Sequence, residues 1–96
     1  MNLVFRPVAE IDISNAYEWY EKRQPKLGKA FILEVERLLA RIKKNSELYS
    51  TALGSTRRAL CKRFPYAVYF AEIDSMIVIL AVLHQRRNPI TWHNRN

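Results

Sequence analysis

Six basic side chains and two histidines are the residues of this chain best suited to chemistry: Arg57, Arg58, Lys62, Arg63, Arg86 and Arg87, with His84 and His93. Together they fit a metal-free cleavage of RNA. That reaction needs a base to activate a 2′-hydroxyl, cations to stabilise a phosphorane-like charge, and an acid to protonate the leaving oxygen. Arginine forks hold phosphate or carboxylate bidentately, and an imidazole changes charge near neutral pH. If the basic stretch is a strand, Arg58 and Lys62 share one face and Arg57 and Arg63 the other, so each pair reaches a common surface. The plainer reading is a set of solvated charges. For His84 that reading is preferred: a strand-end histidine that bonds to backbone or orders the Arg86-Arg87 turn, with His93 a tail residue.

Other chemistries lack their patterns. There is no CxxC, no HExxH, no glycine-rich phosphate loop and no cluster of carboxylates, so no metal and no cofactor is implied. The single cysteine, Cys61, forms no intramolecular disulfide and has no histidine near it in sequence, so it reads as a small buried residue.

The chain has 96 residues, which is one domain, 1–96. Its 49% hydrophobic and 26% charged residues are ordinary for a globular protein and exclude bulk disorder. Charge is uneven. Residues 1–55 carry nine Lys/Arg and seven Asp/Glu, and residues 56–96 carry seven and two, so +5 of the net +7 lies in the second part. Such a field draws anionic partners, either nucleic acid or an acidic protein segment. The longest apolar run, residues 76–83, is strand-sized, and the N-terminus lacks a signal-peptide pattern, so no membrane partner and a cytoplasmic location are expected.

Several elements must position these groups. Residues 2–6 form a strand candidate, and Pro7 suits the first turn of a helix. Ala9, Ile13, Ala16 and Tyr20 make one helical stripe. Val8, Ile11 and Trp19 fall off it, which makes Trp19 a candidate partner anchor. Pro25 ends this helix or follows it. Leu27-Gly28 opens a second helix with Phe31, Val35, Leu38 and Ile42 as its stripe, extended by Leu27 and Leu39. Leu33 lies nearly opposite, a candidate exposed contact. After a loop around Gly54 the period becomes two. Strands are expected over 56–64, 67–73 and 76–84, with Asp74-Ser75 as a hairpin turn. The expected fold is α+β, in the order β-α-α-β-β-β, with a helical hairpin on one face of a small, mainly antiparallel sheet. The last strand is apolar on both sides, with Val78, Leu80 and Val82 on one and Ile77, Ile79, Ala81 and Leu83 on the other. The face away from the helices therefore needs a cover: the C-terminal tail, a bound partner, or the curvature of the sheet itself.

Three segments in this order and spacing carry a resemblance. They are Trp19-Tyr20-Glu21 with Pro25, Leu27-Gly28 and Phe31; Arg63-Phe64-Pro65-Tyr66-Ala67-Val68-Tyr69-Phe70; and Ala81-Val82-Leu83-His84 with Arg86-Arg87, Pro89 and Trp92. The chain resembles, over residues 3–92, the ParE-type toxins (plasmid stabilisation proteins) of the RelE/ParE superfamily. The resemblance implies a toxin neutralised by a cognate ParD-like or RelB-like antitoxin. ParE-type members inhibit DNA gyrase; RelE-type members cleave messenger RNA on the ribosome. Nucleases of the superfamily often carry a C-terminal tyrosine, and here Trp92 and His93 stand in that region. The resemblance therefore implies a gyrase inhibitor, with a ribosome-dependent endoribonuclease or a non-toxic basic binding module as alternatives. The candidate nuclease residues are Arg57, Lys62, Arg63, His84, Arg86 and His93; the candidate partner-binding residues are Trp19, Leu33, Arg58, Arg63, Arg86, Arg87 and Trp92.

Overall fold

The computed structural model describes residues 1–86. Strand β1 (Asn2–Phe5) leads into helix α1 (Pro7–Arg23), and helix α2 (Leu27–Lys44) follows. A single 3₁₀ turn (Ser46–Leu48) precedes β2 (Thr51–Leu53), β3 (Thr56–Leu60), β4 (Tyr66–Ile73) and β5 (Met76–His84). The strands form one sheet in the order β1-β5-β4-β3-β2, with β1 parallel to β5 and the other pairs antiparallel. The fold is α+β, as the periodicity implied.

Both helical stripes are in the core. Ala9, Ala16 and Tyr20 of α1 and Phe31, Val35, Leu38 and Ile42 of α2 are buried against Ala59, Phe64, Val68, Phe70, Ile77, Ile79 and Val82 of the sheet side. Tyr20, Phe31, Phe64 and Tyr66 pack as a ring cluster with centroids 4.9–6.1 Å apart. Edge-to-face pairs of this kind contribute about 0.5–1.5 kcal/mol each beyond burial.

The helical hairpin closes on a carboxylate. Lys26 at the start of α2 has a left-handed φ of 74° and offers no side-chain cap. Glu21 of α1 supplies it, accepting the backbone N–H groups of Lys26 at 2.9 Å and Gly28 at 3.0 Å. These are donors that a helix start leaves orphaned. Gly28 is needed because the helices touch there: a Cβ would lie 2.7 Å from the Tyr17 carbonyl oxygen and 2.9 Å from Glu21 Oε1.

Three details differ from the sequence expectation. The loop around Gly54 is a hairpin turn, since residues 51–53 pair with β3 as an extra edge strand, and Gly54 has a φ of 57°. Three residues are too few for periodicity to register. Strand β3 stops at Leu60, because Lys62 and Arg63 turn their N–H groups to Glu34 of α2, at 2.6 and 2.9 Å, and leave the ladder. Third, β5 contains a bulge: Phe70 pairs with Ile79 and Tyr69 with Ala81, so Leu80 has no partner.

The bulge changes the faces of the last strand. Ile77, Ile79 and Val82 face the helices, whereas Val78, Leu80, Ala81 and Leu83 join Ala67, Tyr69 and Ala71 on the other side. An unbroken alternation had put Val82 with Val78 and Leu80. The side chains of that second face are buried, at 0–8% exposure, and Ala52 of β2 packs against them. The tail named as a possible cover lies outside the described residues.

Replacing Gly28 by alanine forces the hairpin apart. A loss of about 1–3 kcal/mol is expected, read as a lower urea midpoint with an unchanged slope.

Candidate functional site

The bulge at Leu80 leads to the site. An extra residue breaks the ladder and leaves a backbone group to be satisfied elsewhere. Just beyond it, the Val82 N–H donates to Asp12 Oδ2 of α1 at 3.0 Å. Asp12 is one turn before Ala16 and three residues after Ala9, so it borders the buried stripe of the helix. With the face of the strand switched, His84 turns to the helix side and meets the Tyr66 ring edge-on at 5.5 Å. The Arg86 N–H donates to His84 Nδ1 at 3.2 Å, and the Gln85 N–H donates to the Pro65 carbonyl at 2.8 Å. The end of β5 is thereby tied to the loop before β4.

Between α1 and this strand end lies an open cleft of about 820 Å³. Asp12, Asn15, Ala16, Trp19 and Tyr20 form its helical wall; Pro65, Tyr66, Val82, Leu83, His84 and Arg86 form the other. Trp19 is 51% exposed. Its ring stands edge-on to Tyr20 at 5.1 Å and carries the Arg23 guanidinium at 4.0 Å, a cation–π contact one helical turn away. Aromatic and aliphatic side chains thus line it together with four polar ones, Asp12, Asn15, His84 and Arg86, a mixture suited to a ligand or an anchor residue. Among the described residues, no group of three or more His, Cys, Asp or Glu side chains is placed to hold a metal ion.

The structure brings together only part of the predicted set. Trp19, His84 and Arg86 line the cleft. Arg57 turns its Nη1 to the Tyr49 carbonyl and holds the 3₁₀ turn to β3. Arg58 sits opposite Tyr69, on the sheet face away from the helices. Lys62 and Arg63 are in the loop held by Glu34, with the Arg63 guanidinium 5.7 Å from the Phe64 ring. The expectation that Arg58/Lys62 and Arg57/Arg63 reach common surfaces is therefore corrected: it required a strand through residue 64, and the strand ends four residues earlier. Leu33 is 42% exposed on α2 and is not among the cleft residues. Arg87, Trp92 and His93 lie outside the described residues.

Asp12, Asn15 and Tyr66 were not singled out as site residues. Asp12 had a signal: a carboxylate beside a buried helical stripe requires a donor on the facing element.

The comparisons with known proteins agree with this architecture. The family described as ParE toxin of type II toxin-antitoxin system, parDE, matches residues 3–89. The chain belongs to the ParE toxin family. A solved structure of the chromosomal ParDE TA system from P. aeruginosa shares its fold, with a TM-score of 0.79 at 16% identity over 88% of this chain and 95% of that one. No curated sequence matches it. In this ParE-type chain, the three resembling segments meet at the cleft and the ring cluster behind it, through Trp19-Tyr20, Phe31, Phe64-Tyr66 and Val82-His84.

Cys61 borders the same core. Burial pushes its thiol up to about 11, with the neighbouring Glu34 carboxylate adding to the rise and Arg41 opposing it. It is inert at neutral pH.

Two outcomes are expected. Asp12→Ala leaves the Val82 N–H without its acceptor and costs about 1.5–3 kcal/mol in chemical denaturation, whereas Asp12→Asn, which keeps an acceptor, costs less. Because the folded thiol keeps its proton above the ordinary value of 9.0, the folded state binds more protons between pH 9 and about 11. Stability therefore falls as pH rises through that window, and the part due to the thiol is absent in Cys61→Ala, as melting curves across the window will register.

Proposed function

We propose that the chain is the toxin of a type II toxin–antitoxin pair, that it inhibits DNA gyrase by binding, and that a cognate antitoxin neutralises it. Family membership carries the first part. The observation that supports binding over catalysis is the dispersal of the basic side chains. Cleaving a phosphodiester requires cations and an acid–base group converging on one phosphate. Here Arg57 holds a backbone carbonyl, Arg58 is on the far face, and Lys62 and Arg63, in the loop that the Gln85 N–H ties to the end of β5, do not line the cleft with His84 and Arg86. His84 uses Nδ1 to accept from Arg86.

For partner contacts the chain offers exposed anchors on different sides. Trp19 with Arg23 stands at the cleft, Leu33 on α2, and Arg58 on the far sheet face. Arg63 and Arg86 stand at the sheet end where β3 stops and β5 ends. Surfaces on several sides suit a toxin that meets a target and an antitoxin whose bound segment carries acidic and apolar residues. Among the described residues, no helix is long and apolar enough to cross a membrane. Gyrase would be met in the cytoplasm.

Purified chain added to gyrase and plasmid is expected to abolish supercoiling and trap cleaved DNA, and Trp19→Ala is expected to weaken the effect about tenfold, the scale of a lost aromatic anchor. Unchanged supercoiling together with codon-specific cleavage of messenger RNA on ribosomes would transfer the activity to a ribonuclease. Harmless expression without an antitoxin would leave a binding module.

A further inference from the structure

We propose that the cleft between α1 and the end of β5 is a nucleotide site, taking a base between aromatic side chains and a phosphate on Arg86. The proposal goes beyond the toxin reading and does not require gyrase.

The argument rests on the order of groups along the cleft. At one end, Asp12 reaches the Val82 backbone, and Asn15 follows it on α1. At the other, Tyr20 meets Tyr66 at 6.1 Å, Tyr66 meets His84 at 5.5 Å, and Arg86 follows two residues later. Helix α1 and strand β5 thus run alongside each other, with the carboxylate and Asn15 near Val82 and the guanidinium beyond His84. Trp19, on α1, and Tyr66, on β4, both line the cleft between these ends.

That sequence of groups matches a nucleotide. Bases of any type stack on aromatic rings. An asparagine amide presents a donor and an acceptor suited to a base edge. A guanidinium binds phosphate as a fork. The carboxylate nearest the site is at the end away from Arg86, and its Oδ2 already holds the Val82 N–H. Both Asn15 and Arg86 line the cleft. The Arg86 backbone is in turn fixed by His84. The Arg23 guanidinium adds a second cation, over the Trp19 ring. The chain has no glycine-rich phosphate loop, and none is needed where a side chain supplies the donors.

A free mononucleotide and a nucleotide within a single strand share this chemistry. The full chain, carrying Trp92→Phe so that Trp19 is the reporting indole, is titrated with AMP and separately with a short oligodeoxyadenylate. Saturable quenching by AMP assigns a mononucleotide site; quenching by the oligomer alone assigns a single strand. Either supports the proposal, provided that labelled-oligomer or labelled-AMP binding falls about tenfold in Arg86→Ala and in Trp19→Ala, while Lys43→Ala, on α2 away from the cleft, leaves it unchanged. No quenching by either probe overturns it, as does an equal loss in Lys43→Ala, which would mark general electrostatic attraction. A peptide of alternating glutamate and leucine that quenches Trp19 when neither nucleotide probe does would give the cleft to a protein segment and also overturn it.

Discussion

A single residue too many in the last strand sets the shape of this molecule. The sheet needs β5 to run its full length beside β4, yet the pairing slips at Leu80 and the ladder must be repaired around it. The repair comes from outside the sheet, through the carboxylate of Asp12 on α1 that takes the Val82 N–H. In a partly buried setting a charged acceptor is worth more than a neutral one. This bond therefore fixes the helix relative to the strand as well as satisfying a donor. The consequences run down the rest of β5. Val82 faces the helices, His84 meets Tyr66, and Arg86 ends at the mouth of the cleft. An even alternation would have carried His84 to the opposite face, away from Trp19.

The same device recurs at two other joints. Glu21 caps the start of α2 and sets the hairpin, and Glu34 gathers the N–H groups of Lys62 and Arg63 and ends β3. In each case an element boundary is made by a helical carboxylate reaching a backbone donor that its own element leaves free. A chain of 96 residues has a modest core. Ion–dipole joints of this kind give it fixed angles between elements that apolar packing, being non-directional, does not specify.

The helices and the long strands were legible because burial imposes periods of 3.6 and 2 on long segments. The stripe Phe31, Val35, Leu38 and Ile42 has one solution, and each of these residues is buried. Asp74-Ser75 was legible as a turn between two β-rich runs, although both residues take left-handed φ values of 51° and 63° that glycine would adopt more easily. What escaped was set by tertiary contacts. Nothing in the alternation of residues 76–84 marks the bulge, since valine, leucine, isoleucine and alanine suit either face. The end of β3 is dictated by Glu34, some thirty residues earlier in the chain, and the basic pairs lost their shared faces with it. Family membership could be read from Trp19-Tyr20, Arg63-Phe64-Pro65-Tyr66 and His84 through their order and spacing, and not because each is distinctive alone.

Charge follows from the same joints. The chain has nine acidic residues, and Asp12, Glu21, Glu34 and Glu72 each accept a hydrogen bond from the protein itself. A carboxylate oriented toward backbone donors is a poorer counterion for arginines at the surface. Sixteen lysines and arginines against these nine leave the chain at a formal +7, a field that draws anionic partners. Among the described residues that field includes Arg58 on the far sheet face, Arg63 in the loop after β3 and Arg86 at the cleft mouth. Spread over several surfaces, it draws large anionic partners, and at two places a guanidinium also stands on an aromatic ring, Arg23 on Trp19 and Arg63 on Phe64, adding shape to charge.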